Sequence, residues 1–273
     1  MKTQIVPRSK SIYRVSLSIG MLIMMFSAGC KTTPVGLPQA MPDRDKRMPR
    51  GYLYYLDGAG GGTAKNNWAG GVKEGLFEAG YKGAGEMVSW ETGKGLLADQ
   101  DASVKYKRSM AEQVPPKVLQ YQKDYPGAPV HLLGFSAGTG ECIYALEELP
   151  LPAQVDNVVL LGTSIGRDHD MTEALKRVKG KVYVFLSTHD QMIGLATEIS
   201  GTTDRKRDDP SAGIKGFSLP PNASEETRGL YALKLIYIPY SKEFKQDGDR
   251  GHHFDNVKME FIRDHVAKYF PTR

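Results

Sequence analysis

The sequence predicts an α/β fold: a mostly parallel, doubly wound sheet flanked by helices, without a large cap domain. Three observations lead there. Strand-like and helix-like segments alternate from residue 51 to the end, the pattern of a parallel sheet whose crossovers are helices. The run 157–162 (Asn-Val-Val-Leu-Leu-Gly) is apolar on both faces, as a strand buried inside such a sheet must be. The run 130–149 passes from an apolar strand through Gly134-Phe135-Ser136-Ala137-Gly138 into a helical stretch.

At 273 residues the chain suits one large domain or two small ones, and 40% hydrophobic residues suffice for a buried core. The formal net charge is +5, of which Lys2, Arg8, Lys10 and Arg14 supply four; without them the chain carries only +1. The basicity is therefore a property of the N-terminus. No Lys/Arg patch interleaved with aromatics follows, so no nucleic-acid partner is expected. Arg205-Lys206-Arg207 is bracketed by Asp204, Asp208 and Asp209 and reads as a solvated loop. Two cysteines, Cys30 and Cys142, do not make a disulfide framework.

Residues 1–29 have the layout of a secretory signal peptide: a basic region to Arg14, then an apolar stretch over 15–26 that is short for a membrane span. Ser27-Ala28-Gly29-Cys30 resembles a bacterial lipobox, departing from it at Ser27, where leucine is more usual. The resemblance implies cleavage before Cys30, lipidation of that cysteine, export, and anchoring at a membrane of the bacterial cell envelope. Residues 30–50 contain four prolines and no apolar periodicity, and read as a tether. The folded domain is expected over 51–273.

Within it, 52–56 is a strand rich in aromatics, ending in Asp57-Gly58-Ala59-Gly60-Gly61-Gly62. A glycine-rich loop after a strand is also the form of a phosphate cradle, but neither nucleotide-binding glycine motif follows. Residues 67–79 are helical, with Gly70, Gly71 and Gly75 weakening the helix. Strand 86–90 comes next, then a helix over 103–125 that Pro115 and Pro116 should kink or break. After 157–162 come a short helix at 171–178, strands at 181–186 and 233–238, and a closing amphipathic helix at 256–270. Only a short stretch separates the strands at 157–162 and 181–186, which leaves no space for a cap there. Residues 195–228, rich in Gly, Pro and charge, either border the site as a lid or form a surface loop.

The strand–turn–helix around Gly134-Phe135-Ser136-Ala137-Gly138 resembles the nucleophile elbow of the α/β-hydrolase family. A serine hydroxyl needs a base, and the base an orienting acid; in that family they follow in the order serine, acid, histidine. Here Asp190 follows a strand, and His252-His253 lie between the last strand and the last helix. The resemblance implies Ser136 as nucleophile, Asp190 as acid with Asp168 and Asp170 as alternatives, and His253 or His252 as base. His253-Phe254 fits the family pattern slightly better. It also implies an oxyanion hole made by the Ala137 N–H and one N–H of the glycine-rich loop, from Ala59 or else Gly60. The family often has histidine before the first glycine of that loop; Asp57 stands there instead, which leaves the register open. His131, His169, His189 and His265 read as structural or exposed, and Cys142 as a buried small side chain. No Asp/Glu/His spacing supports a zinc site, and no metal or cofactor is expected.

The expected activity is hydrolysis of a small-molecule or lipid-like ester through an acyl-enzyme. The residues leave two alternatives open: acyl transfer, with an alcohol replacing water, and a non-catalytic binding protein on the same scaffold.

Overall fold

The computed structural model describes residues 41–61, 68, 71–194, 201–206 and 210–273. The chain divides into two units, Met1–Leu37 and Pro38–Arg273, and every described residue lies in the second. Residues 1–29, expected as a signal peptide, and Cys30 lie outside the described residues. No helix among the described residues is long and apolar enough to cross a membrane.

Six strands form one sheet: β1 (Tyr52–Leu56), β2 (Ala84–Met87), β3 (Val130–Phe135), β4 (Asn157–Leu161), β5 (Val182–Leu186) and β6 (Leu235–Pro239). Their order is β2-β1-β3-β4-β5-β6 and every pair is parallel. The winding reverses at β1, so the loops leaving β1 and β3 diverge at the point where open α/β sheets bind ligands. Alternation along each strand feeds two cores. Tyr52, Tyr54 and Leu56 join one and Leu53 and Tyr55 the other; β3, β4 and β5 divide likewise.

The first core is covered by α4 (Val104–Ala111), α5 (Val114–Asp124), α6 (Gly138–Glu148), α7 (Thr172–Lys176) and α9 (Glu225–Lys234). The break expected at Pro115 and Pro116 falls between α4 and α5. It puts a proline in the first turn of α5, where an N–H has no intrahelical partner to lose. The second core lies under α2 (Val72–Glu78) and the C-terminal helical stretch. Two of the glycines that weaken α2 in sequence terms, Gly71 and Gly75, admit that stretch: a Cβ at Gly75 would stand 2.5 Å from the Met259 carbonyl oxygen. The closing helix expected at 256–270 is a composite. It comprises a 3-10 turn at Asp255–Val257, α10 (Met259–Phe261), a π turn at Ile262–Val266 and a 3-10 turn at Ala267–Tyr269.

Several boundaries differ from expectation. The strand expected at 86–90 begins two residues earlier, at Ala84, and ends three residues earlier, at Met87. The one expected from 233 begins at Leu235, because α9 continues to Lys234. Ser224 caps α9 by accepting from the Thr227 N–H (3.1 Å), and its Glu, Arg, Leu, Ala and Lys residues favour helix over strand. Residues 41–50, expected as tether, are docked instead. They form α1 (Arg44–Arg47) and a 3-10 turn, Met48–Arg50. Met41 is buried and its N–H donates to the Gly85 carbonyl (3.0 Å), covering the edge of β2. Arg47 donates to the Tyr81 carbonyl (2.7 Å), and the Tyr121 hydroxyl to that of Met48. Proline density marks the segment as non-periodic but says nothing of acceptors distant in sequence.

Of the range 195–228, residues 195–200 and 207–209 lie outside the described residues. Two short elements lie in the remainder, α8 (Ala212–Lys215) and the start of α9. Residues 201–206 lie against the start of α6 and the loop after β4. Thr203 donates its N–H to the Ser164 carbonyl (2.9 Å), and its methyl stands 2.4 Å from where a Cβ on Gly140 would be. Asp204 accepts from the Gly166 N–H (2.9 Å) and faces His169, whose other ring nitrogen contacts Glu147 at 2.6 Å. Burial opposes a charge on His169, but hydrogen bonds to Asp204 and Glu147 outweigh it and raise its pKa to about 9.

That shift sets a pH signature. A pKa raised from 6.5 to about 9 on folding contributes stability that is complete below 6.5 and is lost as pH rises through about 9. Urea unfolding should therefore show His169→Gln less stable than the wild type at pH 6, with the gap closing at pH 10. An equal gap at both pH values would refute the assignment.

Candidate active site

β1 and β3 run side by side with Leu56 opposite Gly134, so the loop after β1 emerges beside the turn after β3. At that turn Ser136 has φ +51°, a left-handed conformation that non-glycine residues adopt at a cost of about 1–3 kcal/mol. The surroundings hold it there. Its N–H donates to the Leu161 carbonyl (2.9 Å), and its carbonyl accepts from the Thr139 N–H (3.0 Å) and hydroxyl (2.6 Å). The flanking glycines are steric requirements. A Cβ on Gly138 would stand 2.2 Å from the Leu56 carbonyl oxygen, and one on Gly134 2.8 Å from the Thr139 Cα. Helix α6 then begins directly behind the serine.

The structure brings Ser136, His253 and Asp190 together. His253 Nε2 lies 2.9 Å from Ser136 Oγ, and Nδ1 lies 2.8 Å from Asp190 Oδ2. Both His253 and Asp190 are 5% exposed. The other Asp190 oxygen accepts from the Ile193 N–H (2.9 Å), which fixes the carboxylate plane. With Nδ1–H donating to Asp190, Nε2 is left to accept from the serine hydroxyl. A hydroxyl so placed can lose its proton as it attacks an electrophile. The imidazole also packs against Phe135 and Phe254, with ring centroids 4.9 and 5.2 Å away.

The alternatives lie elsewhere. His252, expected as the second candidate for the base close behind His253, is exposed, while its neighbour turns inward. Asp168 pairs with Lys206, and Asp170 accepts from the Thr172 N–H (2.9 Å) at the start of α7. His131 contacts the Pro271 carbonyl (2.9 Å), His265 contacts Asp247 (2.8 Å), and His189 is exposed. Cys142 is fully buried beneath Gly134, and burial pushes its thiol pKa well up.

The loop after β1 is described as far as Gly61, and its N–H groups can be accounted for one by one. Gly58 donates to Asp57 Oδ1 (2.7 Å), Gly60 to Asp99 Oδ2 (2.8 Å) and Gly61 to the Gly58 carbonyl (3.0 Å). Gly60, expected as the second choice for an oxyanion donor, is thus already engaged. Among the described residues the N–H groups of Ala59 and Ala137 have no acceptor. Gly58 itself abuts Ser136: a Cβ there would stand 3.1 Å from Ser136 Cβ. Asp57, in the place where histidine is common, serves the loop. Its carboxyl accepts from the Tyr55 hydroxyl (2.7 Å) and the Gly58 N–H, and burial raises its pKa to about 7.

Sequence reasoning missed Asp99 and Trp90. Asp99 lies in α3 (Leu96–Gln100) and is completely buried; the Trp90 indole donates to the Asp57 carbonyl (2.8 Å). Neither belongs to a motif, and an aspartate in a short helical stretch gives no sign that it will be buried. Among the described residues no group of three or more His, Cys, Asp or Glu side chains is arranged to hold a metal ion.

Neither a protein-family model nor a curated protein sequence matches the chain. Solved structures do. The chain is similar to a dienelactone hydrolase from Anabaena variabilis, with 15% identity, coverage of 80% of this chain and 84% of that one, and a TM-score of 0.43. It is similar to a cutinase-like protein from a Cryptococcus species, with 14% identity, coverage of 81% and 93%, and a TM-score of 0.42. It is also similar to a lipase/esterase from Lactobacillus plantarum, with 10% identity, coverage of 80% and 87%, and a TM-score of 0.39.

Proposed function

We propose that this protein is a serine hydrolase of the α/β-hydrolase type that cleaves an ester-like acyl bond. One observation carries the reading: a serine at φ +51° whose hydroxyl is 2.9 Å from an imidazole, itself 2.8 Å from a buried carboxylate. His253 Nε2 takes the Ser136 proton as Oγ attacks the carbonyl carbon. The N–H groups of Ala59 and Ala137 hold the oxyanion, and Asp190 stabilises the imidazolium. Collapse of the tetrahedral intermediate breaks the bond to the leaving alcohol, which takes the proton from His253. Water, deprotonated by His253, then attacks the acyl-enzyme; the acid is released and Ser136 recovers its proton.

The test is labelling with a fluorophosphonate probe, which forms a stable adduct only with an activated serine. Labelling at Ser136 in the folded chain supports the reading. A folded chain that neither labels nor hydrolyses an ester panel would instead be a binding protein on the same scaffold.

The substrate is a small-molecule or lipid-like ester, and the setting is the cell envelope. The lipobox-like Ser27-Ala28-Gly29-Cys30 supports export and an anchor on Cys30, with the catalytic domain in water. In cells fed radioactive palmitate, the wild type should incorporate label and Cys30→Ala should not. Equal incorporation would remove the anchor from the proposal.

A further inference from the structure

We propose that Asp99 is a positioning residue for the oxyanion hole: its buried carboxyl fixes the loop after β1 so that the Ala59 N–H is the one left for the reacting oxygen. The proposal rests on the serine-hydrolase reading above.

Asp99 is 0% exposed and accepts three hydrogen bonds divided between its two oxygens. Oδ2 takes the Gly60 N–H at 2.8 Å. Oδ1 takes the Thr92 N–H at 2.7 Å and the Thr92 hydroxyl at 2.6 Å. One carboxyl thus staples the loop after β1 to the segment after β2. The same segment holds the loop twice more. Trp90 donates to the Asp57 carbonyl, and Leu96, three residues before Asp99, would lie 3.3 Å from a Cβ on Gly60. Gly60 sits at φ +81°, which suits glycine, and its N–H is directed to Asp99 in α3.

Peptide planarity turns these anchors into control of Ala59. The Gly60 N–H lies in the peptide plane joining Ala59 to Gly60, which Asp99 holds. The Gly58 N–H lies in the plane joining Asp57 to Gly58, which the Asp57 carboxyl holds. The plane between them carries the Ala59 N–H. With both neighbours fixed, its freedom is reduced to rotations at Gly58 and Ala59, and Gly58 is pressed against Ser136. A donor that stabilises a developing oxyanion must be oriented before the charge appears, and that is what the anchors supply.

The experiment compares Asp99→Leu, Asp99→Asn and Thr92→Val in the full chain, with p-nitrophenyl acetate as substrate. Asp99→Leu removes every acceptor and should lower kcat about 100-fold with KM changed by less than about twofold, the pattern of an interaction made in the transition state. Asp99→Asn keeps a single acceptor oxygen and should fall between it and the wild type. Thr92→Val removes only the hydroxyl bond to Oδ1 and leaves the Gly60 bond, so its kcat should stay within about threefold of wild type.

A folded Asp99→Leu with wild-type kcat, or a Thr92→Val as slow as the Asp99 variants, would overturn the proposal, the latter by showing a merely structural role. If Asp99→Leu does not fold, Asp99→Asn against Thr92→Val decides. Hydrogen–deuterium exchange over residues 57–61 reads the same restraint without turnover. It should be faster in Asp99→Asn than in the wild type and unchanged in Thr92→Val; unchanged exchange in Asp99→Asn would overturn the proposal even in a chain without esterase activity. Absence of wild-type labelling and hydrolysis would count against the hydrolase reading instead.

Discussion

Ser136→Ala should abolish fluorophosphonate labelling and lower ester turnover by about 10⁴-fold or more, with the fold and its stability nearly intact. In the proposed mechanism the hydroxyl is the group that forms the acyl-enzyme, so nothing else at the site would replace it. His253→Ala should lose about as much, because serine and base act as a unit and removing either removes the same chemistry. Asp190→Asn should cost less than the serine but still orders of magnitude. It would place an amide where a carboxylate now holds the Nδ1 proton 2.8 Å away. His252→Ala is the control within the sequence: exposed, with His253 at the hydroxyl instead, it should stay within about threefold of wild type. The measurement is kcat and KM on a chromogenic ester beside probe labelling. Loss of activity in His252→Ala with retention in His253→Ala would reverse the assignment of the base.

Gly138→Ala should be among the most damaging single-methyl changes at the described glycines. The added Cβ would lie 2.2 Å from the Leu56 carbonyl oxygen, 2.4 Å from that of Asp57 and 2.6 Å from the Leu56 carbonyl carbon. All three are backbone atoms, so no rotamer change relieves the overlap; either α6 or the end of β1 must move. Overpacking of this kind costs about 1–3 kcal/mol, and the rigid neighbours here put the expectation at the upper end or above. The end of β1 carries the loop that abuts Ser136, so labelling should fall in the folded fraction as well. Gly229→Ala tests the reasoning in the opposite direction. Gly229 lies inside α9 with nothing within 4 Å of an added Cβ, and alanine there should stabilise by about 1 kcal/mol. Urea unfolding of both variants decides: a Gly138→Ala protein as stable and as reactive as the wild type would show that the helix and β1 are less closely set than their contacts require.

Much of the fold is legible because its signals are local. The apolar runs at β1, β3, β4 and β5 lie within a residue or so of where they were expected, since a strand buried on both faces has no other composition available. The pair of prolines splits α4 from α5 for a reason contained in two residues. Where a segment suits two structures, the outcome follows its neighbours. The Leu-Lys-Leu run at 233–235 divides between α9 and β6, and residues 41–50 dock because Gly85, Tyr81 and Tyr121 supply partners for them.

The same division runs through the site. The sequence by itself determined the strand–turn–helix around Ser136 and the chain order Ser136, Asp190, His252-His253, because the turn needs glycines at set spacings and the other residues follow strand ends. It put His253 only narrowly ahead of His252, since which of two successive side chains turns inward depends on the loop's packing against Phe135 and the end of β5. It likewise gave Ala59 first and Gly60 second without a local reason to separate them. That separation rests on Asp99, 39 residues beyond Gly60, whose carboxyl engages one N–H and leaves the other. Backbone donors carry no side-chain signature, so only the tertiary structure, by bringing α3 against the loop after β1, decided which of them is left without an acceptor.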